Sequence, residues 1–125
     1  GNKASRYEID RFLRKTAAAL EHGINLLIVD LQPPGSFDPH GIHAAIWEYV
    51  FGTAPEGIVD QSLTLAAYRA DSPITAYVEQ LSPAATLPDM PLFLAPSAYI
   101  NVPLEATYLQ TWAGFPQPWK DELNE

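Results

Sequence analysis

Apolar positions near the start of the chain recur at Ile9, Phe12, Leu13, Thr16/Ala17 and Leu20, the period of an amphipathic helix. Glu8, Arg11, Lys15, Ala18 and His22 fall on the opposite face. Ser5 with Glu8 three residues later reads as a capping box, and Gly23 as the residue that stops the helix. From Ile24 to Leu31 the pattern changes to a short, almost wholly apolar run, as in a strand covered on both faces. Helix, glycine and buried strand together make one half of an α/β unit.

Pro33-Pro34-Gly35 then breaks the chain. Asp38 as N-cap and Pro39 as first helical residue predict a second helix through Ile42, Ile46 and Val50, ended by Gly52. Thr53–Gln61 reads as a loop. Leu63–Ala70 and Ile74–Leu81 predict two strands joined by the turn residues Asp71-Ser72-Pro73. Ser82–Val102 carries four prolines (Pro83, Pro88, Pro91, Pro96) and is expected to be looped or extended, with one short strand at Leu92–Leu94. Pro103 opens a predicted helix through Leu104, Tyr108 and Trp112 that Gly114 closes, and Pro116–Glu125 ends in a turn around Trp119. The expected class is α/β (α+β): a single domain with a small mixed sheet flanked by helices, a hairpin and a Pro-rich cap.

Charge changes this picture more than composition does. The formal net charge is -8, yet Lys3, Arg6, Arg11, Arg14 and Lys15 stand in the first fifteen residues against only Glu8 and Asp10. Every later residue belongs to an acidic remainder in which Arg69 and Lys120 are the only Lys or Arg. An acidic chain is a poor general binder of nucleic acid, so any contact with a polyanion runs through the first helix. The sequence has no cysteine, which excludes disulfides and thiolate metal sites and favours a reducing, cytoplasmic setting. Its longest apolar run, Leu26–Val29, falls far short of the roughly 20 residues a membrane span needs.

Three groups of side chains are candidates for chemistry. His40 and His43, with Asp38 just ahead of them, offer imidazole and carboxylate for zinc or iron, but without the i, i+4 histidine spacing and glutamate of zinc hydrolases. Asp38 has the cheaper role of N-cap, and His43 that of a partly buried residue hydrogen-bonded to a neighbouring loop. Asp30 ends a strand, where ligands gather in open α/β sheets, or else caps the following turn. Arg11, Arg14 and Lys15 lie on the open face of the first helix, where basic side chains meet either a phosphate or water. No nucleophile elbow and no glycine-rich phosphate loop occurs.

Several blocks together resemble a bacterial family of unknown function. Its members carry an element like Ile-Glu-Ile-Leu-Ser-Pro-x-Asn-Lys, a long helix, and then Gly-Ile/Val-x-Leu-Leu-x-Ile-Asp-Leu. Asn2-Lys3 is similar to the end of the first element and Gly23–Leu31 to the strand. The run from Asp38 to Trp47, Leu63–Tyr68, Ala76–Glu79, Leu87–Leu94 and Val102–Tyr108 are similar to one branch of the family. That family is related to restriction-endonuclease-like proteins of the PD-(D/E)XK superfamily. Those have a central mixed sheet whose acidic strands bind Mg²⁺ and a helix whose lysine completes the site. The resemblance implies that Lys15, eight residues before Gly23, takes the lysine's place, with Arg14 as its substitute and Arg11 and Arg14 contacting phosphate.

The family's acidic elements lie upstream of the stretch that Asn2 matches. The resemblance therefore implies that this is the C-terminal portion of a longer nuclease-like domain, not competent as a fragment, with the metal held by upstream acids or another chain. The alternative is a non-catalytic binding or assembly module whose surface gathers Tyr99, Tyr108, Trp112 and Trp119.

Overall fold

The computed structural model describes residues 6–31, 34–36, 38–57, 63–95 and 98–107. Helix α1 runs over Arg6–Glu21 and buries Ile9, Leu13, Thr16 and Leu20, the face its periodicity predicts. Burial of each large apolar side chain contributes about 1.5–3 kcal/mol, which is what holds a helix with a polar outer surface in place. Its C-terminus is a Schellman arrangement around Gly23, which has φ +77°. The Gly23 N–H donates to Leu20 O at 3.1 Å and the Ile24 N–H to Ala19 O at 2.9 Å. An L side chain rarely adopts that φ, so glycine sets the sharp exit into the next strand. Ser5, the predicted cap, lies outside the described residues.

Strand β1 covers Leu26–Asp30 and pairs antiparallel with β2, Leu63–Arg69; β2 pairs antiparallel with β3, Thr75–Leu81. The order is β1-β2-β3, so β2 is central. The expected two-stranded hairpin is present, with residues 70–74 between its strands. The expectation for β1 is corrected: it is an edge strand with Val29 exposed, and its sheet is antiparallel among the described residues instead of mixed. Its apolar run reflects packing on both faces over most of its length, which an edge strand receives when layers cover the sheet above and below.

Those layers follow from alternation along β2. Ala66 and Tyr68 face α1 and α2, where they join Ile9, Leu13, Leu20, Ile42 and Ile46. Leu65 and Ala67 face the other way, toward Leu87, Met90 and Leu104. That second layer is a two-stranded antiparallel sheet, β4 (Asp89–Ala95) and β5 (Ala98–Pro103). The proline-rich segment was expected to supply one short strand and supplies two full ones. Proline is tolerated because an edge strand has one side that needs no N–H donor. Residues 104–107 are helical, as Pro103 predicts; Tyr108, Trp112, Trp119 and the rest of the predicted C-terminal helix and tail lie outside the described residues.

Asn25 ties the layers together. Its Nδ2 donates to Phe93 O at 2.9 Å and its Oδ1 accepts from the Ala70 N–H at 2.7 Å. Asn25→Ala removes both bonds and leaves two part-buried backbone groups without that partner, an expected loss of about 1–3 kcal/mol. Urea denaturation of the variant checks this, and a change below about 0.5 kcal/mol would show that water replaces the amide.

Candidate functional site

Helix α2 spans Ile42–Phe51, three residues later than the Asp38/Pro39 cap predicts. Gly41 stands at its N-cap with φ 92° and no side-chain cap. A Cβ there would meet Thr64 Oγ1 at 3.2 Å, so the helix start lies close against β2. Asp38 instead closes the preceding turn: it is 1% exposed and its Oδ1 accepts from the Gly35 N–H at 2.9 Å. His40 is exposed in that turn, whereas His43 lies inside α2, 3% exposed. The three candidates for a metal therefore do different things. Among the described residues no group of three or more His, Cys, Asp or Glu is arranged to hold an ion.

His43 has a polar partner that the sequence alone did not reveal. Its Nδ1 is 2.6 Å from the hydroxyl of Tyr68, a fully buried residue near the end of β2. Burial lowers the His43 pKa from 6.5 to about 4 and raises that of Tyr68 above the usual phenol range. The imidazole is thus neutral and the phenol protonated at neutral pH, and one hydrogen bond joins the Tyr68 hydroxyl and Nδ1. Trp47 packs on His43 with ring centroids 5.6 Å apart, and Phe51 on Trp47 at 4.4 Å. This pair anchors α2 to the sheet.

The cleft lies elsewhere, between α1 and β1. It encloses about 350 Å³ and is lined by Glu8, Phe12, Ile28, Val29, Asp30 and Ile42, among others. The chain turns at Gly23 between α1 and β1, and Glu8 near the helix start and Asp30 at the strand end both line the cleft. Asp30 is buried and sits opposite Thr64 in the strand register. Beside the cleft, the outer edge of β1 has no paired strand among the described residues.

The predicted cationic residues border this region. Lys15 follows Phe12 by three residues and Glu8 by seven, which puts it on the same helix flank, one turn along from the cleft. It is exposed and is not among the lining residues. Arg11 and Arg14 are exposed farther round the helix. Glu8, read from sequence as a cap and as part of the polar face, and Phe12, read as core, are lining residues that the sequence did not mark as such. The signal was the i, i+4 pair they form on the border between buried and open faces.

Comparisons with protein families, curated proteins and solved structures find no match to this chain. Among the described residues no helix is long and apolar enough to cross a membrane.

Proposed function

We propose that this chain is the C-terminal part of a bacterial, cytoplasmic nuclease-like domain of the PD-(D/E)XK kind, without hydrolytic activity of its own. The supporting observation is that, among the described residues, no strand pairs with the outer edge of β1 beside the cleft, with Lys15 one turn along the adjoining helix flank. An apolar strand edge with unpaired N–H and C=O groups is a seam to which a further strand adds. In the resembled family the acidic strands come from upstream of this helix. Strands docked on β1 would bring their carboxylates to the helix flank that carries Lys15.

In that assembly the Lys15 ammonium stabilises charge developing on a phosphate, and Arg11 and Arg14 hold phosphates on either side. Mg²⁺ would belong to the upstream acids. Among the described residues no three or more His, Cys, Asp or Glu are grouped to hold it.

Intact mass and N-terminal sequencing of the native protein come first, followed by cleavage assays with Mg²⁺ on this chain and on any longer form. The 125-residue chain is expected to be inert and the longer form active. Lys15→Ala is expected to lower the longer form's rate by at least about 100-fold, with unchanged far-ultraviolet circular dichroism because Lys15 is exposed. A native protein without the acidic elements, or a variant as fast as the parent, would overturn the reading. The assembly-module alternative is favoured by a different surface, where Leu94, Tyr99 and Ile100 are exposed on β4 and β5. It predicts a longer form that binds a protein partner and cuts nothing.

A further inference from the structure

The outer face of α1 carries a stripe that the cleft does not use. Tyr7, Arg11 and Arg14 recur at i, i+4 and i+7, nearly opposite the buried stripe Ile9, Leu13, Thr16 and Leu20. Tyr7 is 67% exposed, although a tyrosine ring ordinarily gains from burial. The stripe is about 10 Å long, with Lys15 adjoining its far end and Asp10 and Glu8 flanking it. Cations predominate on this helix alone, since the rest of the chain is acidic.

We infer that this stripe binds unpaired nucleic acid, a base stacking on the Tyr7 ring while Arg11, Arg14 and Lys15 take neighbouring phosphates. The inference deepens the nuclease-like reading and rests on it, by assigning single-stranded substrate to the domain. Charge complementarity selects a polyanion, and the exposed ring selects among polyanions. A duplex keeps its bases stacked inside and offers the ring nothing, whereas every unpaired base has a face free to stack. An acidic peptide would meet the arginines but would leave the ring equally unused.

The test is fluorescence anisotropy with a short labelled oligothymidine at low ionic strength, using the whole chain. Binding is expected to weaken with salt at a log–log slope of about -2, the release expected for three phosphate contacts on a single strand. The matching duplex and polyglutamate are expected to bind more weakly. Tyr7→Ala is expected to lose about tenfold or more in affinity, Tyr7→Phe to retain it, and Arg11→Ala to flatten the salt slope. Because Tyr7 and Arg11 are exposed, circular dichroism of all three variants should match the parent. Absence of oligothymidine binding, equal binding of duplex or polyglutamate, or a Tyr7→Ala variant indistinguishable from the parent would overturn the inference. Failure here with cleavage by the longer form removes this inference alone. Binding here by a protein whose longer form never cleaves removes the nuclease reading and keeps the stripe as a binding surface.

Discussion

Tyr68→Ala is expected to destabilise the protein by about 3–5 kcal/mol, a large part of the roughly 5–15 kcal/mol available to a domain of this kind. Tyr68 has no exposed surface and packs among Ile9, Leu13, Ile42 and Ile46, so truncation opens a cavity where α1, α2 and β2 meet. It also takes away the hydroxyl that pairs with His43 at 2.6 Å. Tyr68→Phe separates the two effects, because it keeps the ring and leaves a buried imidazole nitrogen without its partner. That variant is expected to lose about 1–3 kcal/mol. Urea denaturation of both variants gives the comparison. A phenylalanine variant within about 0.5 kcal/mol of the parent would mean that the hydrogen bond contributes nothing net and that Tyr68 acts by volume alone.

The second large effect is a loss of stability on the acid side. His43 takes up its proton at about pH 4 when folded and near 6.5 when unfolded, because burial disfavours the imidazolium. The unfolded chain therefore binds the proton first. His43's contribution is intact above about pH 6.5, declines as pH falls toward 4, and levels off below that. The decline amounts to about 3 kcal/mol over that interval. Denaturation midpoints measured from neutral pH downward should show it. His43→Leu starts from lower stability because Tyr68 loses its partner, but its profile between these limits should be flatter than the parent's. Parallel profiles would assign the acid sensitivity to the carboxylates instead.

Legibility from sequence followed how local each determinant is. α1 and its exit at Gly23 were readable because one helix face and one left-handed glycine suffice to define them. The hairpin of β2 and β3 was readable because Asp71-Ser72-Pro73 separates two β-rich runs. The start of α2 was not: Asp38 has the chemistry of an N-cap but spends its carboxylate on the Gly35 N–H, so the helix waits for Ile42. β5 was hidden because prolines at Pro96 and Pro103 bracket it like loop residues, while its pairing with β4 is a property of two segments together.

The exposure of the cations on α1 was legible in the sequence, whereas the cleft was not. Lys15, Arg11 and Arg14 are exposed on α1, as the helical period implies. That Glu8 and Asp30 line one cleft depends on how tightly the chain reverses between α1 and β1. His40 and His43 looked like a pair by spacing, but one precedes the helix and the other lies within it, so the spacing carried no shared direction.

β2 is common property of both cores: Ala66 and Tyr68 lie in one and Leu65 and Ala67 in the other. Removing either layer would hydrate one face of the same backbone whose other face must stay dry. The helical layer and the β4–β5 layer are therefore expected to melt together, in a single calorimetric transition.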